Sequence, residues 1–314
     1  MKLGFIGAGK VGCAMGAHLR RSALVTVSGY YNRPSDAAHD ASNALDVNEF
    51  TSLTDIVKHS DMLLVTVPDD AIASVWRELR ELPGNPISGM AVGHCSGCLS
   101  SRVFDGSAEL GVSAFSMHPM QAVSERFPAD GRDQLDGAFF ALEGDPRCTE
   151  MLGQLLGSLG NRSRVIDADA KTRYHAAAAM ASNLPIALWN AAVETLRSCG
   201  FTESDAREAL RAMIVHNAES FCERGAKSAL TGPVERADVG TVRAHLESLS
   251  PEARALYEPL SRALLSIAAE KNPNRDYAAL RDLLDDGFAN SSHPNASGRT
   301  SQAERLGPNV SGNN

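Results

Sequence analysis

Short apolar runs alternate with amphipathic stretches through the first half of the chain, the pattern of a parallel sheet joined by crossover helices. The runs that read as strands are Lys2–Ile6, Leu24–Tyr31, Asp61–Val67, Ala91–Cys95, Val112–Met117, Ala138–Leu142 and Arg164–Ile166. Between them apolar residues recur every three or four positions, as in Val11, Met15 and Leu19 or in Ile72, Val75, Trp76 and Leu79, which predicts helices. The Pro68-Asp69-Asp70 step predicts a turn with Asp69 as the N-cap of the next helix. Beyond Asp167 only helical patterns remain, over Ala168–Arg197, Glu203–Glu223, Val239–Leu249, Pro251–Glu270 and Arg275–Asp285. Ala206, Leu210, Met213 and Ile214 recur there at core spacing. The expected fold is therefore an α/β domain with a mainly parallel sheet over residues 1–167, then an all-α domain over 168–287. Residues 288–314 are mostly Asn, Ser, Gly and Pro, too poor in apolar side chains to offset their ordering entropy, and are expected to be a disordered tail.

Composition narrows the function classes. The 314 residues include 43% hydrophobic and 22% charged side chains, as in a globular protein long enough for two domains. A formal net charge of −8 gives no general attraction to polyanions and argues against nucleic acid as a partner. The N-terminus enters a strand directly, without the layout of a secretory signal. The most apolar stretch, Ala176 to Trp189, is interrupted by Ser182, Asn183 and Pro185, which argues against a membrane span. Six scattered cysteines fit reduced thiols in a cytoplasm. Cys95 and Cys98 lack a thioredoxin-like context, and with His94 they lack a second ligand pair, so no metal site is expected.

The strongest motif is Gly7-Ala8-Gly9-Lys10-Val11-Gly12, placed between the first strand and the first helix. Gly7 permits the tight turn, Gly9 lets a pyrophosphate approach the backbone, and Gly12 allows close helix–strand packing. The helix N-terminus adds free N–H groups and partial positive charge. The motif predicts a Rossmann-type dinucleotide site formed by Gly7 to Gly12, with Val67, Pro68 and Asp69 as further candidate cofactor contacts; the alternative is a glycine-rich turn that holds no ligand. The second strand ends Tyr31-Asn32-Arg33, where NAD enzymes usually carry a ribose-binding carboxylate. Asn32 removes that charge, and Arg33 suits a 2′-phosphate, so NADP is the expected cofactor. The alternative keeps Arg33 as a solvated loop arginine with Asp36 reaching the ribose.

The chain resembles the Rossmann-like reductases that carry a C-terminal domain of unknown function 2520, distant relatives of the pyrroline-carboxylate, ketopantoate and β-hydroxyacid reductases. The resemblance rests on Gly4-Phe5-Ile6-Gly7-Ala8-Gly9, Val67-Pro68-Asp69-Asp70, His94-Cys95-Ser96-Gly97 and His118-Pro119-Met120-Gln121. It continues in Tyr174-His175-Ala176-Ala177-Ala178, Ser182-Asn183 and Gly232-Pro233-Val234-Glu235-Arg236, and ends near Leu284. It implies an NADP-linked redox role without naming a substrate.

Two histidines stand at strand ends, where open α/β sheets bind ligands: His94 and His118. His118 is read either as a proton donor to a developing alkoxide or amide, or as a histidine bonded to its loop. Ser96 and Gly97 present a hydroxyl and a bare backbone to substrate or nicotinamide, or form only a turn. A second cluster lies on the helix after Asp167. Lys171 and His175 are about 40° apart on the helical wheel, Ser182 is within roughly 20° of Lys171, and Asn183 lies about 120° away at the edge of that face. Lys171 and His175 are candidate catalytic residues, Lys171 disfavouring a second charge beside it; the alternative is an exposed lysine with Tyr174 and His175 in packing. In the β-hydroxyacid reductases a lysine and an asparagine on the matching helix serve as proton donor and substrate anchor; this chain has His175 in place of that asparagine. Thr231 and Arg236 flank a Gly-Pro turn that either clamps a substrate carboxylate or merely precedes a helix capped by Asp238. The resemblance to pyrroline-carboxylate reductases implies the first.

Two functions follow: an NADP(H)-dependent reductase of a small keto acid, imine or similar substrate, or a non-catalytic NADP(H) sensor. The polar face of Lys171, His175 and Ser182 favours the enzyme. Ala- and Leu-rich helices such as Ala178–Leu196 predict a homodimer.

Overall fold

A computed structural model describes residues 1–33 and 36–291. The chain divides into two compact units, Met1–Leu184 and Pro185–Asn314.

In the first unit eight strands form one sheet in the order β3-β2-β1-β4-β5-β6-β7-β8. They are β1 (Lys2–Ile6), β2 (Thr26–Tyr31), β3 (Asn48–Glu49), β4 (Met62–Val65), β5 (Ala91–His94), β6 (Ser113–Pro119), β7 (Phe139–Gly144) and β8 (Arg162–Val165). All neighbours pair in parallel except β6 and β7, which are antiparallel, with Ser116 opposite Glu143. The expected mainly parallel α/β sheet is present. The two-residue β3 has no apolar run to announce it, and both its residues are exposed.

Period-two alternation sorts the central strands between two cores. Leu3, Phe5, Met62 and Leu64 face one side and pack with α1 (Lys10–Leu19), α2 (Asp36–Leu45) and α5 (Pro146–Ser158). Ile6, Leu63 and Val65 face the other, under α3 (Leu53–Lys58) and α4 (Asp69–Arg80). Trp76 anchors that second side, fully buried against Phe104 at 5.3 Å and donating its Nε1 proton to Asp105 O at 2.9 Å. The expected cap of α4 needs correction. Pro68 occupies the N-cap, Asp69 is the first helical residue, and its carboxylate is taken by Ser96 instead of by a backbone N–H.

α6 (Lys171–Ser198) follows a 3-10 turn at Ala168–Ala170, and the division between the units falls within it. Its first half belongs to the first unit and carries Lys171 to Asn183. Among the described residues, Ala168–Ser198 is one segment long and apolar enough to cross a membrane, with mean hydropathy 1.2 and only 6% of that window buried.

The second unit is helical: the rest of α6, then α7 (Glu203–Ala229), α8 (Val239–Ser248), α9 (Pro251–Lys271) and α10 (Ala278–Ser291). Its core gathers Val242, Leu246, Leu265, Ala268, Leu280 and Leu284. α7 runs past the expected end at Glu223, with a break at Gly225, whose φ of 76° is left-handed. α10 runs to Ser291, into the stretch expected as tail; residues 292–314 lie outside the described residues.

Candidate active site

The glycine turn closes on the end of β2 and on the segment after β4. Gly7 has φ +113°, a left-handed conformation that L side chains rarely adopt. A Cβ at Gly12 would fall 2.5 Å from Gly7 O and 2.6 Å from Thr66 Oγ1, so α1 meets the sheet at backbone distance. Gly9 differs: a Cβ there meets nothing within 4 Å, and the turn opens onto free space. Ala8 N–H donates to Asn32 Oδ1 at 3.3 Å, and Thr66 Oγ1 donates to Gly7 O at 2.8 Å.

That space is a cavity of about 560 Å³. Its walls include Gly7, Ala8, Gly9, Asn32, Arg33, Val67 and Pro68 from the sequence-based set, together with Thr66, Glu78 and Arg126. Lys10, Val11, Gly12 and Asp69 are not among the described lining residues. Arg33 is exposed, its Nη2 pairs with Glu78 at 2.5 Å, and its guanidinium lies 5.9 Å from the centre of the Tyr31 ring. Open volume beside a side-chain-free turn and a guanidinium fit a phosphate-bearing dinucleotide.

A second cavity, about 470 Å³, is lined by His118, Met120, Gln121, Ala122, His175, Ala178, Ala179, Ser182 and Asn183 among others. His118 belongs to the end of β6, on the same carboxyl edge of the parallel strands as the glycine turn. Its Nδ1 shares a 2.7 Å hydrogen bond with Tyr174 Oη, and its ring lies 5.8 Å from that of His175, edge to face. Both imidazoles converge on Gly97, where a Cβ would come within 2.4 Å of His175 Nδ1 and 2.9 Å of His118 Nε2. Burial first, then the charge of Lys171 and the neighbouring His175, hold the His118 pKa down at about 4. Burial lifts the Tyr174 hydroxyl to about 12. His118 is therefore a neutral imidazole, and Tyr174 a protonated phenol, near pH 7.

Lys171 is buried at 1% exposure, which removes the exposed-lysine alternative. Its ammonium donates to Ser96 O at 2.7 Å and Ser116 Oγ at 2.8 Å and lies 5.8 Å from the Tyr174 ring centre. Burial lowers its pKa, while Glu143 pulls it upward. Glu143, also buried, accepts from Ser101 N–H at 2.7 Å and Ser101 Oγ at 2.8 Å.

The loop that holds Gly97 is pinned from several directions. Ser96 N–H donates to His94 Nδ1 at 3.1 Å, which leaves His94 Nε2–H to donate to Ser100 O at 3.2 Å. Ser96 Oγ donates to Asp69 Oδ2 at 2.6 Å and accepts from Leu99 N–H at 3.0 Å. Burial is the main cause that brings the His94 pKa down to about 4.

The structure thus brings His118, Lys171, His175 and Ser96 together, with Ser182 and Asn183 exposed along the same cavity. Ser182 Oγ donates to Ala178 O at 2.8 Å. Thr231 and Arg236 are exposed in the second unit, on a turn where Arg236 N–H donates to Gly232 O and Asp238 caps α8 through Thr241 N–H. Sequence reasoning did not assign Tyr174, Gln121, Glu143 or Arg126 to a site. Tyr174 and Gln121 stand inside distinctive segments; Arg126 carries no local signal, since its partner Asp40 is 86 residues away.

Residues 1–119 match the Rossmann-like domain family, and residues 138–264 match a domain of unknown function, DUF2520. None of the curated proteins matches the sequence. A protein of Thermotoga maritima of solved structure is 23% identical, with a TM-score of 0.65, covering 86% of this chain and 99% of its own. The reductive aminase of Aspergillus terreus, solved with NADPH, cyclohexanone and allyl amine, is 17% identical with a TM-score of 0.56, covering 91% and 99%. The pyrroline carboxylate reductase of Plasmodium falciparum, solved with NADP bound, is 13% identical with a TM-score of 0.55, covering 85% and 98%. At these identities the likeness is one of fold.

Proposed function

Because the chain belongs to the family that joins a Rossmann-like domain to DUF2520, we propose that it is an NADP(H)-dependent oxidoreductase that reduces a small carbonyl or imine compound. The observation that carries this reading is the convergence of His118 Nε2 and His175 Nδ1 on bare Gly97, on the strand edge that also bears the glycine turn. The NADP-bound state of fold neighbours supports the choice of cofactor.

Gly7 to Gly9, Asn32, Val67 and Pro68 would hold the dinucleotide, with Arg33 at the 2′-phosphate. When bound, it supplies the hydride. His118 is the proposed proton donor. With Tyr174 Oη donating to Nδ1, the ring carries its proton on Nε2, the nitrogen beside Gly97. A neutral imidazole then donates a hydrogen bond to the substrate oxygen or nitrogen, as the neutral histidine of triosephosphate isomerase does in a well-known parallel. As negative charge grows on that atom, Nε2 releases its proton and Nδ1 takes the one from Tyr174. The charge this leaves on Tyr174 lies near the buried Lys171 ammonium, which stands 5.8 Å from the centre of the phenol ring. Lys171 is a positioning and electrostatic residue here. His175, exposed beside the cavity, and Ser182, Asn183 and Gln121 orient the substrate.

NADPH oxidation with a panel of 2-keto acids, ketopantoate and cyclic imines tests the reading. Turnover that drops at least about 100-fold in His118→Asn, within the range for general acid catalysis, supports it. Tight NADPH binding with no turnover on any acceptor points instead to the sensor.

We further propose a cytoplasmic homodimer. Six free thiols support the compartment. Apolar side chains left exposed on α6, among them Met180 at 66% and Leu184 at 59%, support burial against a second copy. Sedimentation equilibrium giving a monomer at micromolar concentration would exclude the dimer.

A further inference from the structure

We propose that Arg126 is a second phosphate-binding cation of the dinucleotide cavity, directed at the 2′-phosphate of the adenosine ribose and selecting NADPH over NADH; this rests on the dinucleotide reading above. Arg126 comes from the segment between β6 and β7 and lines the same cavity as Gly9, Asn32, Arg33 and Glu78. Its Nη2 donates to Ala37 O at 2.7 Å and its Nη1 to Asp40 Oδ2 at 3.1 Å. Both partners belong to α2, the helix that follows β2, and the end of β2 is where Rossmann folds read the ribose hydroxyl or its phosphate. The buried Nε has no hydrogen-bond partner among the described residues, and the guanidinium interacts electrostatically with Cys13. A guanidinium has five N–H donors, and the two bonds to α2 leave others for a ligand.

The charges around the cavity explain why a second cation matters. Arg33 is already paired with Glu78, so an incoming phosphate must compete with that carboxylate. Asp40 adds another negative charge on α2, behind the cavity wall formed by Ala37 and Arg126, and Arg126 pairs with it. Removing Arg126 deletes a phosphate donor and leaves the charge of Asp40, its partner on α2, without a counter-ion. Both losses fall on the 2′-phosphate, and a cofactor with a ribose hydroxyl there feels neither. Arg126 is also held in place before binding, so little side-chain freedom is lost on contact.

The test is calorimetric titration of the full chain with NADPH, NADH, 2′,5′-ADP and 5′-ADP, for wild type, Arg126→Ala, Arg126→Gln and Arg126→Lys. Expected is a weakening of about 10- to 100-fold for NADPH and 2′,5′-ADP, the size of a lost charge-assisted bond. NADH and 5′-ADP should stay within about 3-fold, and Arg126→Lys should recover part of the loss, by the same reasoning. Equal weakening of phosphorylated and unphosphorylated ligands, or no weakening, overturns the proposal: the first outcome assigns Arg126 to the diphosphate or to the fold. Should Arg126→Ala fail to fold, the same ratio is read from the Gln variant. Wild type that binds neither NADPH nor NADH refutes the dinucleotide reading itself, a result distinct from a flat ratio.

Discussion

Two histidines of the first unit are held neutral by the fold, and this gives the chain a defined weakness in mild acid. His94 is fully buried and His118 half-buried, and both titrate near 4 instead of near 6.5. The unfolded chain therefore binds protons between pH 6.5 and about 4 that the folded chain refuses. Each depressed pKa contributes stability that is complete above 6.5 and lost as pH falls toward the folded value. For His94 the drop of about 2.5 units corresponds to about 3 kcal/mol at 1.36 kcal/mol per unit. His118 contributes less, because its ring still reaches solvent. In the middle of the window the two together give a slope approaching about 2.7 kcal/mol per pH unit. That is large beside a total stability of roughly 5–15 kcal/mol. His39 works in the opposite direction, since its hydrogen bond to Glu49 raises its pKa on the surface, but it is common to wild type and variants and cancels in the comparison. The assay is urea unfolding at half-unit steps from pH 7.5 to 4.5 for wild type and His118→Asn, whose amide oxygen can still accept from Tyr174. The variant should lose up to about half of the slope between pH 6 and 4.5. An unchanged slope would mean that His118 takes up its proton at the same pH in the folded and unfolded chains, and the depressed pKa that the neutral-imidazole mechanism relies on would go with it.

Two other perturbations probe the same cluster. Gly97→Ala forces a methyl group against both imidazoles; turnover should fall about 100-fold, the cost of roughly 1 Å of misplacement, with far-UV circular dichroism unchanged, and wild-type turnover would refute the convergence. Lys171→Met removes the two hydrogen bonds to Ser96 O and Ser116 Oγ and uncovers buried Glu143. It should lower stability by about 2–3 kcal/mol and Tm by roughly 4–12 °C. It should also raise the His118 pKa, because the Lys171 charge is the second cause that depresses it. An NMR titration of His118 that does not move would contradict the electrostatic link.

Periodicity gave the positions of seven strands and the helical character of the second half because apolar spacing is a local signal; six of those strands are largely buried, whereas β8 is mostly exposed and overlaps its expected range only at Arg164 and Val165. What it missed depends on partners distant in sequence. β3 exists only as an edge ladder on β2, and the antiparallel direction of β7 leaves no trace in a short apolar run. The Asp69 carboxylate looked free to cap α4 because the competing donor, Ser96, is 27 residues away. Lys171 stood open between a catalytic role and an exposed first-turn position because charge normally argues for exposure; the acceptors that bury it come from β6 and the loop after β5. The glycine turn was readable because its chemistry is contained in six consecutive residues, whereas the roles of Tyr174 and Arg126 emerge only when strand ends are brought side by side.

The reversed pairing of β6 with β7 has a consequence for how this chain can be cut. The Rossmann-like match stops at residue 119 and the DUF2520 match starts at 138, so the seam between the two families falls inside a single sheet, between its sixth and seventh strands. A piece ending at that seam would present β6 as a raw edge, open to pairing with other chains, and would strip Ser101 of its acceptor on β7. Module exchange between relatives should therefore keep Met1–Leu184 intact, with the helix that bears Lys171 and His175 travelling with the strands it serves.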